Sequence, residues 1–230
     1  MILVADSHLT DQHASLGDFF AMLARIEQTD EDLVLLGDIL VLWVGAPAHL
    51  TDTGRRLLDW CRRERSRRRI GLLEGNHEFY VGPAYADCFS FWSHAEWREG
   101  DLLFAHGDLV NRRDHGYRLL RLATKNPLTR LVLGYGPGGR RLTQAIKRRL
   151  GEAGKVRKKF LPEPEVKAFA ERWFAKGVRR IFLGHFHQEY RYEGADGGVC
   201  QLVPSWQSSG QIARYAPTTD RTEILPWQDL

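Results

Sequence analysis

The sequence predicts a layered α/β fold interrupted by one helical insertion. Three observations carry that reading. Short apolar runs alternate with stretches of helical spacing from Ile2 to Ala105, the pattern of stacked α/β layers. Apolar runs end repeatedly in Asp, Asn or His, where open α/β sheets place their sites. From about Asp114 to Lys176 strand-like runs give way to helical spacing, and they return at Arg180.

Ile2 to Ala5 is a buried-strand pattern stopped by Asp6. Ser15 to Ile26 carries Leu16, Phe19, Phe20, Leu23 and Ile26 at helical intervals. Leu33 to Leu36 reads as a second strand, ending in Gly37-Asp38. Thr51 to Arg63 reads as a helix with Leu57, Leu58 and Cys61 on one face. Ile70 to Leu73 is a third strand, ending in Glu74-Gly75-Asn76-His77, and Leu102 to Ala105 a fourth, ending in His106-Gly107-Asp108. The helical region that follows has breaks at Asn126-Pro127, Gly134 to Gly139 and Leu161-Pro162, residues that interrupt a helix. Arg180 to Leu183 is again a strand, ending in Gly184-His185-Phe186-His187. The remainder, including Val199 to Val203, reads as all-β. The expected division is a core of residues 1–111 and 177–230 and an insertion of residues 112–176.

The 230 residues suit one sizeable domain, and 43% hydrophobic with 27% charged residues is the composition of an ordinary globular protein. No apolar run is long enough to span a bilayer. Met1 leads directly into Ile-Leu-Val-Ala-Asp with no basic leader. A cytoplasmic protein, or one peripheral on the cytosolic membrane face, is expected. The cysteines Cys61, Cys88 and Cys200 are widely spaced and form no CxxC pair, so free buried thiols are expected rather than disulfides. The net charge of +4 is unevenly distributed. Arg62 to Arg69 reads as a solvated basic face. The broader excess from Arg112 to Lys159 suits anionic headgroups, nucleic acid or phosphorylated substrates.

The polar strand ends carry the chemistry. Asp6-Ser7-His8 puts a carboxylate and an imidazole at i and i+2, able to face one point. Gly75 permits a sharp turn before Asn76, His77 and Glu78. His185 and His187, also at i and i+2, can direct two imidazoles into one cavity. Singly, each has a plain alternative: a capping aspartate, a turn residue, a hydrogen-bonded surface histidine. Together, Asp, Asn and His at successive strand ends are the donors that divalent metals take.

In order, Asp-x-His, Gly-Asp, Gly-Asn-His-Glu, His-Gly-Asp and Gly-His-x-His resemble the signature of the calcineurin-like metallophosphoesterase superfamily, over Asp6 to His187. The resemblance implies a four-layer α/β/β/α sandwich and an enzyme that hydrolyses phosphoric esters or diphosphates. It implies two divalent metals, with Asp6, His8, Asp38 and His187 holding the first and Asp38, Asn76, His106 and His185 the second. Asp38 would bridge them. Metals about 3.5–4 Å apart can lower the pKa of a shared water enough to make a hydroxide nucleophile near neutral pH. His77, beside Asn76, would contact the phosphate or protonate the leaving oxygen. Asp108 and Glu78 would orient the ligands.

Gly37-Asp38-Ile39-Leu40-Val41-Leu42-Trp43-Val44-Gly45, the Asp114-His115-Gly116-Tyr117-Arg118 run and a basic helical insertion are similar to the UDP-2,3-diacylglucosamine diphosphatases of lipid A biosynthesis. That resemblance implies manganese (iron or zinc being alternatives), a lipid-linked substrate cleaved to UMP and a lipid monophosphate, and an insertion that caps the site. Those enzymes carry Gly-Asn-Arg-Asp-Phe where this chain has Gly75-Asn76-His77-Glu78-Phe79. In the insertion, Leu119, Leu120, Leu122, Leu128, Leu131, Val132 and Leu133 supply apolar surface, and Arg118, Arg121, Lys147, Arg148, Arg149, Lys155, Arg157 and Lys158 supply charge. The leucines would either accept acyl chains beside an anionic membrane or pack on the core. Asp114, Tyr117, Arg149, Lys155 and Lys158 are the expected substrate contacts. The alternatives are a related phosphoesterase for a nucleotide, phosphodiester or phosphoprotein, and a non-catalytic scaffold of the same fold. Trp92, Trp97 and Trp206 are scattered and make no stacking platform, so no specific nucleic-acid partner is expected.

Overall fold

The structure, a computed structural model, describes residues 1–135 and 161–230. Its frame is two sheets packed face to face with helices outside each, the expected α/β/β/α order. The first sheet has strand order β13-β12-β1-β2-β4-β6. These are β1 (Ile2–Val4), β2 (Leu33–Leu35), β4 (Ile70–Leu73), β6 (Phe91–Ser93), β12 (Gln211–Ala216) and β13 (Arg221–Pro226). The second sheet has order β10-β11-β9-β8-β7, built from β7 (Glu96–Glu99), β8 (Leu102–Ala105), β9 (Arg180–Leu183), β10 (Tyr190–Glu193) and β11 (Val199–Leu202). A further pair, β3 (Trp43–Val44) and β5 (Glu78–Phe79), forms a short parallel ladder.

Alternation along each central strand assigns the layers. In β1 and β2, Ile2, Val4, Leu33 and Leu35 face outward and pack on α1 (Leu16–Ile26) and α2 (Asp52–Glu64) through Phe19, Met22, Leu23, Ile26, Leu57 and Leu58. Their neighbours Leu3, Ala5, Val34 and Leu36 face inward and meet Phe104, Phe182 and Tyr215 between the sheets. Because these strands are covered on both faces, they read as continuous apolar runs rather than alternating ones. The outer face of the second sheet packs Leu103, Ile181, Leu183 and Leu202 against Val166, Phe169 and Ala170 of a helix spanning Glu163–Phe174. That helix directly precedes β9, which leads into the Gly-His-x-His loop, and it lies inside the 112–176 stretch.

Between β8 and β9 the described chain also forms α4 (His115–Thr124) and α5 (Pro127–Tyr135), following the one-turn α3 (Val81–Ala84). The Glu163–Phe174 helix is accordingly α6, and a final turn, α7, spans Trp206–Ser209. Helices α4 and α5 part at Asn126-Pro127, and α6 begins just past Leu161-Pro162, as proline chemistry requires. The expected break at Gly134 to Gly139 falls mostly outside the described residues.

The basic run from Arg62 to Arg69 is largely paired. Arg62 meets Asp59 and Asp87, Arg63 meets Glu27, and Arg69 meets Glu99. Arg68 is buried, holding Glu64 and the backbone carbonyls of Ile26, Thr29 and Glu31. The cysteines are free and buried. Among the described residues no helix is long and apolar enough to cross a membrane.

Candidate metal centre

The loops after β1, β2, β4, β8 and β9 meet at one end of the sandwich. Parallel pairing of β1 with β2 continues into their loops, where Asp6 N donates to Gly37 O (3.1 Å) and His8 N to Asp38 O (2.9 Å). The Glu78 carboxylate, fully buried, joins the next pair of loops. It accepts from Asp38 N (2.8 Å), Ile39 N (2.9 Å) and Gly75 N (2.9 Å). Gly75 has no room for a side chain: a Cβ there would lie 2.3 Å from Asp38 Oδ1 and 2.8 Å from His106 Nε2.

The two buried aspartates are held alike. Asp6 Oδ2 accepts His185 N (2.7 Å), and Asp38 Oδ1 accepts His77 N (2.9 Å). Each therefore spends one oxygen on a neighbouring loop and turns the other inward. Asp6 Oδ1 is buried without a hydrogen-bond partner. It lies 3.8 Å from His8 Nε2 and 3.4 Å from His187 Nε2, which are 3.4 Å from each other. On the other side, His106 Nε2 lies 3.4 Å from Asp38 Oδ2, 3.3 Å from Asn76 Oδ1 and 3.2 Å from His185 Nδ1. His106 Nδ1 contacts the Leu36 carbonyl (2.7 Å), so that nitrogen carries the ring proton and Nε2 presents a lone pair. His77 is oriented in the same way, with Nδ1 on Val41 O (2.5 Å) and Nε2 3.7 Å from Asp38 Oδ2.

Among the described residues, carboxylate and imidazole atoms converge in three groups: Asp6, His8 and His187 in one, Asp38, His106 and His185 in another, and Asp38, His8 and His77 linking them. Buried acceptors left facing one another cost free energy unless a cation or proton lies between them. The orphaned Asp6 oxygen and the mixed carboxylate, imidazole and amide donors therefore fit divalent metals.

Ionisation follows the same geometry. Burial, and secondarily the Asp38 charge, pushes the Asp6 carboxyl up to about 8, against the lowering influence of His106. Burial alone would lower His106, but Asp38 and then Asp6 outweigh it and raise the ring to about 10. Burial holds His8 and His185 neutral, down to about 3. Burial and then Asp38 raise Glu78 to about 7. Without a cation, one proton on Asp6 and one on His106 thus stand among the two groups of lone pairs.

All seven expected ligands lie in these groups or, for Asn76, against His106. Five of them, Asp6, His8, Asp38, His185 and His187, have φ between 43° and 71°. Asp114 caps α4 by accepting Tyr117 N (2.8 Å), and Tyr117 donates its hydroxyl proton to Asp108. Arg149, Lys155 and Lys158 lie outside the described residues, as do Lys147, Arg148 and Arg157. No sequence motif marks out Lys125. It is partly buried, donates to the Gly75 carbonyl and lies 5.3 Å from the centre of the Phe79 ring. Burial, then the adjacent Arg121, lowers its pKa. A single lysine just after a helix gives no sequence signal of such a contact.

A two-sheet sandwich with buried carboxylate and imidazole clusters at its loop end defines a metal-centred hydrolase site. The match to known proteins gives the family: residues 2–189 fit the calcineurin-like phosphoesterase model, and the chain belongs to that family of metal-dependent phosphoesterases, whose members typically bind two metals. It is similar to a UDP-2,3-diacylglucosamine hydrolase from Pseudomonas putida, 30% identical over 206 residues, covering 82% of each chain. It is equally similar to one from Pseudomonas syringae pv. tomato, 30% identical over 232 residues, covering 92% of this chain and 90% of the relative. Among solved structures, a mutant cold-active protein tyrosine phosphatase shares the fold at 14% identity, with a TM-score of 0.50 over 100% of this chain and 78% of that one.

Gly75→Ala should drive a methyl group into Asp38 and His106 and abolish binding of at least one metal, read by elemental analysis after dialysis; full occupancy would contradict the packing. Metal affinity should rise with pH. Below about 8, protons on both Asp6 and His106 must leave, giving up to about 100-fold per pH unit, and between about 8 and 10 only the His106 proton, about tenfold per unit. Calorimetric titration in buffers of different ionisation enthalpy counts the released protons, and a flat profile from pH 6 to 8 would refute the assignment.

Proposed function

We propose that the chain is a dinuclear metal-dependent hydrolase that cleaves the pyrophosphate of UDP-2,3-diacylglucosamine, giving UMP and a lipid monophosphate. The observation that carries the metal-centred part is the unpartnered Asp6 Oδ1 facing two imidazole nitrogens. Asp6, His8, Asp38 and His187 would hold one ion, and Asp38, Asn76, His106 and His185 the other. Asp38 Oδ2 faces His106 and His77, while Oδ1 is fixed by backbone, a disposition suited to a shared ligand. The nitrogen and oxygen donors suit manganese, iron or zinc. When bound, such ions supply Lewis acidity, activating a water and offsetting charge on the phosphoryl oxygens.

The chain's own groups account for the rest. Five left-handed backbone positions turn the ligand side chains inward. His77, pinned through Nδ1 to the Val41 carbonyl, keeps Nε2 directed at the site. In its imidazolium form it has the Asp38 carboxylate as counter-charge and a proton to deliver to a leaving oxygen.

Support for a lipid-linked substrate is separate and comes from the relatives' names and from α4 and α5. Leu119, Leu122, Leu128 and Leu131 are 58–70% exposed there. Leu133 alone of the apolar residues singled out in the insertion is fully packed, against Val44, Ala46 and Phe79. Four exposed leucines beside basic residues suit an acyl chain or the surface of an anionic membrane. A related phosphoesterase acting on a nucleotide, phosphodiester or phosphoprotein is the second reading.

UMP release from UDP-2,3-diacylglucosamine with manganese, measured beside a chromogenic phosphodiester, separates these. Cleavage of the lipid nucleotide at least about tenfold faster, in the catalytic range of kcat/KM, supports the first. Hydrolysis of the simple diester alone leaves the phosphoesterase and removes the lipid substrate. His77→Ala should lower kcat by about 10²–10⁴-fold while leaving two metals bound. Loss of a metal from that variant would make His77 a ligand instead.

A further inference from the structure

Helix α4 presents its polar side to the protein and its leucines to the outside. Tyr117, Arg121 and Lys125 follow one another at intervals of four residues, one row along the helix and its C-cap. Tyr117 donates its hydroxyl proton to Asp108 Oδ2, and Arg121 Nη1 donates to the same oxygen at 2.5 Å. The second arm of Arg121 donates to the His94 carbonyl. Lys125 Nζ donates to the Gly75 carbonyl. Asp108 is two residues beyond His106, and Gly75 immediately precedes Asn76.

We propose that Lys125, with Arg121 one turn before it, is a positioning residue for the metal position of Asp38, Asn76, His106 and His185. Its ammonium grips the Gly75 carbonyl behind Asn76, and the Arg121 guanidinium grips the carboxylate behind His106. The inference rests on the two-metal reading above and adds that one helix sets the spacing of the Asn76 and His106 loops.

Three features favour a role in metal positioning over general packing. Both cations act on loops of the same metal group; neither touches the Asp6, His8 and His187 loops among the contacts described. The Gly75 N–H is held by Glu78 and the His77 N–H by Asp38, and Lys125 adds a hold on the Gly75 carbonyl, the acceptor end of the same residue. Lys125 and Arg121 also lie among Glu74, Glu78 and Asp108, three carboxylates that accept from Gly82 N, from Gly75 N and from Arg121 itself. The two cations offset that charge, so that the carboxylates can orient the loops without drawing a metal away from the inward-facing donors.

The test is calorimetric titration of metal-free protein with Mn²⁺, before any assay of turnover. Wild type should bind two ions per chain. Lys125→Met, which keeps the side-chain length and removes the ammonium, should weaken one binding event by about 10–100-fold, the usual effect of losing an outer partner of a metal ligand. The other event should change by less than about twofold, and Lys125→Arg should recover part of the loss. Asn76→Ala should weaken the same event, and His8→Ala the other. Arg68→Met, which breaks a buried ion pair with Glu64 on the far side of the first sheet, controls for lowered stability alone. If Lys125→Met does not fold, Lys125→Gln is read in the same way. Two events unchanged in the Lys125 variant, or both weakened together as in the control, would overturn the proposal. A wild type that binds fewer than two ions would instead overturn the two-metal reading, and the positioning role with it.

Discussion

The constraint on which this structure depends is the confinement of many lone pairs to one buried space. Asp6 and Asp38 are buried within a few ångströms of His8, His106, His185 and His187, an arrangement that electrostatics opposes unless positive charge lies among them. The surrounding chain answers with backbone N–H groups. His185 N and His77 N each bind one aspartate oxygen, and Asp38 N, Ile39 N and Gly75 N all converge on Glu78. These donors cannot move without unravelling the loops, so the inward oxygens remain where they are. Such bonds contribute about 0.5–1.5 kcal/mol each, and about 1.5–3 kcal/mol where the accepting carboxylate is charged.

The same demand appears in the backbone. A strand turns the side chains of i and i+2 to the same face but spaces them about 6–7 Å apart along its axis, so such a pair at a strand end converges on one point only if the chain turns sharply. Asp6 and His8 make that turn, as do His185 and His187, with left-handed φ values. Each such residue carries strain of about 1 kcal/mol or more. Only Tyr80 and Asp220 share that conformation among the other described non-glycine residues. Strain concentrated at ligand positions fits a site fixed in advance of what it binds.

This also explains which parts were legible in the sequence. Doubly covered strands are written as uninterrupted apolar runs, so Ile70 to Leu73, Leu102 to Ala105 and Arg180 to Leu183 fall where their residues predict. Polar strand ends are equally plain, because Asp, Asn and His after Val, Leu or Ala break the pattern. The short β3 and β5 ladder was not legible. Its register comes from backbone bonds between Trp43 and His77 and between Gly45 and Phe79, set by tertiary packing rather than local preference. Nor was the role of Glu78 as a three-donor acceptor, since nothing in Gly-Asn-His-Glu says where its carboxylate will turn. The substrate is the least legible part, for it depends on surfaces rather than on ligand types.

Helix α4 joins these two kinds of information. An ordinary surface helix turns leucines inward and charge outward; α4 does the reverse, with Leu119 and Leu122 exposed and Tyr117 and Arg121 against Asp108. None of the residues of α4 is fully buried, so the hydrogen bonds of its polar row are the principal described contacts by which it meets the loops after β4 and β8. Its outer leucines then remain available for another apolar surface. Whatever covers them lies one helix thickness from the carbonyl of Gly75 and the carboxylate of Asp108. The exposed leucines and the polar row that contacts Gly75 and Asp108 thus lie on opposite faces of the same short helix.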